Sequence, residues 1–331
     1  MRRLFVLSVV VALSIVGSVI GAGFITGKEI YEFFAKDFSL SSLYLTFVCF
    51  TLLTYFIMNL DGQSNRVRAL EIFVAIANII ISACMISALK NIYLKMFSFS
   101  EKVEILTILS AIFIFIISCF GILAIQKFSA ILTPIIIGVI VVFSFLKIED
   151  FSISLSPSSS IGIYNPAIYV GFNSVLSLGV IKNSGKGLSP LFKMFASILT
   201  SLILCCCIYL ICCTLKVSFI DDMPFVNAFS YNKKLSIIID IITLFSVFTT
   251  LASSFYTAID FGGIKISVAT KVIIFLICLS ISNVGFSVIV ERVYPLIGVL
   301  GYAFIGVIYL LSKSSQSKQR SRTLAQPRCR E

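Results

Sequence analysis

Apolar runs close to twenty residues long recur along this 331-residue chain almost without pause. A helix rising about 1.5 Å per residue crosses the roughly 30 Å hydrocarbon layer of a bilayer in about twenty residues. Such a run, repeated throughout, excludes most soluble folds, because a globule of this size has too little interior to hide it. Composition agrees: 59% of the residues are hydrophobic and 12% charged, with a mean hydropathy of +1.08. An ordinary soluble domain carries about twice that charged fraction. We expect an all-α integral membrane protein, with the lipid bilayer as the solvent of its outer surface.

Polar interruptions divide the runs into about ten transmembrane helices, with cores near 4–35, 40–59, 69–92, 103–120, 122–146, 163–182, 188–213, 235–257, 268–287 and 292–311. Residues 1–312 read as one transmembrane domain, half one about 4–147 and half two about 163–312, followed by a basic tail over 313–331. Ten spans put both termini on one side. With the N-terminus inside, most of the 26 lysines and arginines fall on the inner side. Arg2, Arg3, Arg66, Arg68, Lys182, Lys186, Lys193 and the tail are among them. Glu101, Glu104, Glu149, Asp150, Asp221 and Asp222 fall outside. This asymmetry predicts a multi-pass protein of the cell (cytoplasmic) membrane with both termini cytoplasmic. The tail is expected to be solvated or to lie on anionic lipid.

Several function classes recede. The net charge of +11 sits singly in short loops and the tail, not as a basic stripe interleaved with aromatics, so no nucleic-acid partner is expected. The first twenty residues imitate a secretory signal, but the apolar stretch continues into a helical pattern, and we expect a retained first helix. Ten cysteines lie almost wholly inside apolar segments, with Cys205, Cys206, Cys207, Cys212 and Cys213 on one helix. Neighbouring cysteines on a helix point in different directions, so small apolar packing residues are expected rather than a soft-metal site. There is no histidine, no close nucleophile–base motif and no metal-ligand cluster, so no enzyme is expected.

The stretch Val16-Gly-Ser-Val-Ile-Gly-Ala-Gly-Phe-Ile-Thr-Gly-Lys-Glu-Ile30 carries the functional signal. Gly17, Gly21, Gly23 and Gly27 sit in one span, each weakening a helix by about 1 kcal/mol relative to alanine. Two explanations stand. Small residues four apart let helices pack closely. Alternatively the helix unwinds at Gly21–Gly23 and its bare carbonyls and amides bind a ligand. In the sixth span, Tyr164-Asn-Pro-Ala-Ile-Tyr-Val-Gly-Phe-Asn-Ser-Val-Leu-Ser-Leu-Gly179 again sets Gly171, Asn173 and Ser174 in mid-span. Spans one and six open two five-span halves, and an odd number per half makes the halves inverted. Paired interruptions at corresponding places point to a transporter's midplane binding site.

The run Val19-Ile-Gly-Ala-Gly-Phe-Ile-Thr-Gly-Lys-Glu-Ile-Tyr-Glu-Phe-Phe34 resembles the opening signature of the YkvI family of bacterial membrane proteins. That family belongs to the amino acid–polyamine–organocation (APC) superfamily. Tyr169-Val-Gly-Phe-Asn173, Asp222-Met-Pro-Phe-Val-Asn-Ala228, Phe248-Thr-Thr-Leu-Ala252 and Tyr294-Pro-Leu-Ile-Gly298 continue the likeness in the same order. The resemblance implies a LeuT-like fold, a five-plus-five inverted repeat with helices 1 and 6 discontinuous. It also implies secondary active transport or symport of a small organic solute such as an amino acid, with sodium or proton coupling. Spans 1, 2, 6 and 7 would rock against 3, 4, 8 and 9. A non-transporting receptor or interaction subunit that keeps the fold is the alternative.

On this reading the substrate meets Ser18, Gly21, Ala22, Gly23, Phe172, Asn173 and Ser174. Carried over by position, a sodium ion takes the carbonyls of Gly17, Ile20 and Ser246 and the hydroxyls of Thr249 and Thr250. Hard cations want oxygen ligands of this kind. Thr249 and Thr250 bonding back to their own helix is the competing reading. Glu29 is expected about 9 Å beyond Gly23, in a vestibule, attracting an amine, carrying a proton or held in an ion pair. Asp240, embedded in span eight, is a second proton candidate. Glu71 and Lys127 lie near the interface and are expected to snorkel. In some sodium-independent relatives a fifth-helix lysine replaces the ion, a role for which Lys127 sits near the helix start.

Overall fold

Lipid offers backbone amides and carbonyls no partner, so a chain inside it must bond to itself, and the helix does this locally. The computed structural model describes residues 2–60, 67–97, 100–119, 122–147, 161–215, 222–259 and 266–307, and every regular element among these is helical. In chain order they are α1 (Arg2–Val19), α2 (Ala22–Ile25), α3 (Lys28–Phe33), α4 (Leu40–Met58), α5 (Val67–Met96), α6 (Ser100–Cys119) and α7 (Ile122–Leu146). There follow α8 (Ile161–Leu176), α9 (Leu178–Ser184), α10 (Pro190–Thr214), α11 (Pro224–Asn227), α12 (Lys233–Ile259) and α13 (Val268–Ser282). The last, α14 (Phe286–Val307), contains a wider π-helical turn at Ile289–Val293.

Among the described residues, six helices (α4, α5, α6, α10, α12 and α14) are long and apolar enough to cross a bilayer. Shorter apolar helices cover Arg3–Val19, Ile131–Leu146 and Val268–Ser282. The chain is therefore an all-α protein of membrane-spanning type. Its surface says the same. Ile105, Ile108, Leu109, Ile112, Phe113 and Ile116 form an exposed stripe on α6, and Val272, Ile273, Leu276 and Ile277 do so on α13. Stripes of this extent are unfavourable in water and natural against lipid.

Polar side chains turn inward instead. Thr107 bonds the Val103 carbonyl, Asn78 that of Val74, Ser82 that of Asn78 and Thr243 that of Ile239, each at 2.7–2.8 Å and one turn back. A few reach across: Thr51 to Ser201 (2.9 Å) ties α4 to α10, and Tyr302 to the Ala167 carbonyl (2.8 Å) ties α14 to α8. α12 packs along α5, α1 lies against α7 and α10, and α4 lies against α8 and α10. The α10 cysteines spread around their helix from buried Cys207, Cys212 and Cys213 to exposed Cys206, and the cysteines among the described residues are unbridged. The 313–331 tail and the side chains of Glu71 and Lys127 lie outside the described residues.

Candidate functional site

The first span is interrupted twice. α1 ends at Val19; the Gly21 amide turns back to the Val19 carbonyl (2.8 Å), and Gly21 is extended at φ −101° and ψ −167°. The Gly17, Ser18 and Ile20 carbonyls are left without a backbone donor among the described residues. The Ser18 hydroxyl bonds the Ile15 carbonyl at 2.7 Å. After the single turn of α2 the chain bends again at Gly27, whose φ of +78° is a left-handed conformation that disfavours side chains. Sequence reading missed this second bend, although Gly27 was in view.

The glycines divide between the two explanations. A Cβ on Gly21 would meet Thr250 Oγ1 at 2.8 Å, so the first break abuts α12. A Cβ on Gly17 would overlap Thr133 of α7, which is close packing. Gly171 also belongs to packing. α8 runs unbroken through Phe172, Asn173 and Ser174, and a Cβ at Gly171 would sit 2.6 Å from the Gly298 carbonyl and from the Tyr302 ring. The interruption expected at Gly171–Ser174 instead falls at Ser177, a single residue between α8 and α9. Even there the bonding continues, Ser177 to Asn173 at 3.0 Å and Ile181 to Ser177 at 2.8 Å. The α8 backbone is thus committed, and only side chains remain for a ligand. Asn173 bonds the Tyr169 carbonyl (3.1 Å), whereas the buried hydroxyls of Ser174 and Ser177 have no partner among the described residues. α1 packs against both α8 and α9, the two helices that flank Ser177.

On α12, Thr249 and Thr250 both donate to the Ser246 carbonyl at 2.9 Å, the competing geometry foreseen from sequence. Their protons being used, the two hydroxyl oxygens keep lone pairs to offer, as do the Gly17 and Ile20 carbonyls. The Ser246 carbonyl is filled by the two threonines. Four of the five proposed sodium ligands are therefore neutral oxygens with free capacity, which suits a hard monovalent cation. No group of three histidine, cysteine or carboxylate ligands occurs among the described residues.

Glu29 departs from its expected place. The bend at Gly27 folds α3 so that the carboxylate lies over Gly23, where a Cβ would overlap it, and the residue is only 5% exposed. The 9 Å separation assumed one straight helix. Asp240 has a partner: Lys95 Nζ lies 3.0 Å from its Oδ1, and Ser236 donates to it at 3.3 Å. This pair joins α5 to α12.

The end of the bundle holding α3 and the start of α14 is closed by two sets of contacts. Lys28, 2% exposed, bridges Glu32 (3.1 Å) and Glu291 of α14 (2.8 Å), and Lys36 also pairs with Glu32. α11 inserts beside the Gly27 bend with Pro224, Phe225 and Val226 buried, and the Phe225 amide bonds the Thr26 carbonyl at 2.9 Å. Comparison with protein-family models and with curated protein sequences returns no match.

Proposed function

We propose that this chain is a secondary active transporter of a small organic solute, such as an amino acid, working by alternating access with sodium or proton coupling. One observation carries the reading. The first apolar helix breaks at Ile20–Gly21 with three carbonyls lacking a backbone donor, and the hydroxyls of Ser174, Ser177 and Ser246 on neighbouring helices lacking a partner, among the described residues. Unbonded polar groups enclosed in lipid are costly, so such a set is retained where a ligand completes it. A discontinuous membrane helix whose freed backbone groups bind the solute is an arrangement transporters use for this purpose.

The corresponding architecture is about ten spans in a LeuT-like five-plus-five inverted repeat of the APC superfamily, YkvI type, with cytoplasmic termini in the cell membrane. α1–α4 and α8–α10 then move against α5, α6, α12 and α13. Solute sits among Ser18, Gly21, Ala22, Gly23, Phe172, Asn173 and Ser174, taking backbone groups from the first break and side chains from α8. The Gly17 and Ile20 carbonyls and the Thr249 and Thr250 hydroxyls hold the coupling sodium, with the Ser246 carbonyl joining when one threonine rotates. A cation bound there supplies a charge that ties the free end of α1 to α12.

A thermal-unfolding screen of amino acids and small organic solutes, each in sodium and in potassium, tests the reading. A solute at a hundred times its dissociation constant stabilises by about 2.7 kcal/mol. At least one solute should raise the midpoint, by more in sodium, and Thr250→Ala should remove the sodium-dependent part. If no solute shifts the midpoint in either salt, the reading fails. Binding without accumulation in vesicles points to the receptor alternative.

A further inference from the structure

A recess of about 420 Å³ opens where the later turns of α5, the first turns of α6 and the link from α13 to α14 come together. Small-molecule sites have volumes of roughly 300–1,000 Å³. Asn91 in its wall bonds Asp222, ahead of α11, at 2.9 Å, so the recess belongs to the end of the bundle closed by α3 and α11. One charge of each sign stands in the wall: Lys90 Nζ lies 2.9 Å from one Glu104 carboxylate oxygen. Lys90 has three protons to donate and Glu104 two oxygens to accept with, so this bond leaves both with capacity to spare. The neutral groups divide likewise. The buried Ser87 hydroxyl and the Asn283 amide make no hydrogen bond among the described residues and are free to donate. Thr107 and Ser282 give their protons to the Val103 and Leu279 carbonyls (2.8 and 2.7 Å), so their oxygens can only accept. An anion alone would be repelled by Glu104 and a cation alone by Lys90; a zwitterion answers both.

Deeper along the same helices the wall turns apolar. Ile108 and Ile112 follow Glu104 on one face of α6, and Val272, Leu276 and Leu279 lead up to Asn283 on one face of α13, at helical spacings of three and four. Ile108, Ile112, Val272 and Leu276 are exposed. α5 packs against both helices, and α6 meets α13 where the Phe115 and Phe275 rings approach to 4.9 Å. Phe275 precedes Ser282 by about two turns, or about 10 Å. Two lipid-facing strips therefore run up to a recess that holds both charges. That is the outline of a phospholipid, with chains on the strips and a headgroup in the recess. A zwitterion from water would fill the recess and leave the strips without a role.

We propose that this recess seats the headgroup of a phospholipid carrying a phosphate and a primary ammonium, the phosphatidylethanolamine class, with its acyl chains along the α6 and α13 strips. Lys90, Ser87 and Asn283 donate to the phosphate, and Glu104, Thr107 and Ser282 accept from the ammonium. The site stands apart from the first break and does not rest on the transporter reading. Native mass spectrometry of the delipidated full chain tests it, titrated with dioleoyl phosphatidylethanolamine, phosphatidylcholine or phosphatidylglycerol. Wild type should bind the ethanolamine lipid about tenfold more tightly than either of the others, since choline has no proton for Glu104 and the glycerol headgroup no cation. Glu104→Gln removes the partner of the ammonium and keeps that of the phosphate. The preference over phosphatidylglycerol should then fall to about twofold or invert, whereas Lys90→Met should weaken every lipid. Equal affinity of wild type for the three lipids overturns the proposal, as does a preference that Glu104→Gln leaves unchanged. Soluble glycerophosphoethanolamine that displaces the ethanolamine lipid at equal concentration would overturn a lipid as the occupant. If the variants fail to fold, the three-lipid comparison on wild type still decides.

Discussion

Gly21→Ala places a methyl group where the first break meets α12, 2.8 Å from Thr250 Oγ1, 3.2 Å from its Cγ2 and 3.6 Å from its Cβ. Only the last is an ordinary contact, since carbon prefers neighbours at about 3.5–4.0 Å. Gly21 is extended and its φ suits any residue, so backbone strain does not enter. The relief is to rotate Thr250, which gives up its 2.9 Å bond to the Ser246 carbonyl. That bond is worth about 1 kcal/mol, and an off-rotamer side chain adds about 0.5–1.5 kcal/mol. Gly21→Ala alone should therefore cost about 2 kcal/mol. In a Thr250→Ala background the two close atoms are gone and the 3.6 Å contact remains, so the same substitution should cost below about 0.5 kcal/mol. The double-mutant cycle predicts a coupling of about 1.5 kcal/mol. Equilibrium unfolding of the four purified proteins in mixed micelles measures it. Equal losses in the two backgrounds would show that the break does not touch α12, and the located site would go with it.

Other contacts give further tests by the same unfolding assay. Gly171→Ala should cost about 1–3 kcal/mol by forcing α8 and α14 apart, whereas Gly179→Ala, inside α9 with open space around it, should stabilise by up to about 1 kcal/mol. Lys28→Met leaves Glu32 and half-exposed Glu291 without their shared cation and should cost about 2–3 kcal/mol, somewhat less than a fully buried pair. Lys36→Met, at a solvent-facing pair, should cost under about 1 kcal/mol. Gly27→Ala combines a left-handed φ with a Cβ 2.6 Å from that of Phe225, and should cost about 3 kcal/mol while loosening the Phe225–Thr26 bond.

Helix positions were legible in the sequence because bilayer thickness writes itself into run length. The apolar run over 235–257 contains the body of α12, Lys233–Ile259, and that over 69–92 the body of α5, Val67–Met96. What glycine does was not legible. Gly21 and Gly171 carry the same chemistry, and only the neighbour decides: a threonine across an open break in one case, a carbonyl across a helix crossing in the other. Glu29 was misplaced because distance along a helix means little once the helix bends, and the Gly27 bend was read as one more glycine. The partner of Asp240 lies on another helix, at Lys95, beyond the reach of any local pattern. Tyr169 was visible in its motif but offered no sign that its buried hydroxyl would lack a hydrogen-bond partner of normal geometry among the described residues.

Solute accumulation in sealed vesicles tests the central claim most directly. Purified chain reconstituted into liposomes, with an imposed inward sodium or proton gradient and radiolabelled solutes chosen from the binding screen, should concentrate at least one solute above the external level. Dissipating the gradient should abolish accumulation, and Thr250→Ala should weaken it if sodium drives it. A solute that binds in the screen yet only equilibrates, or fails to enter, under both gradients would contradict secondary active transport.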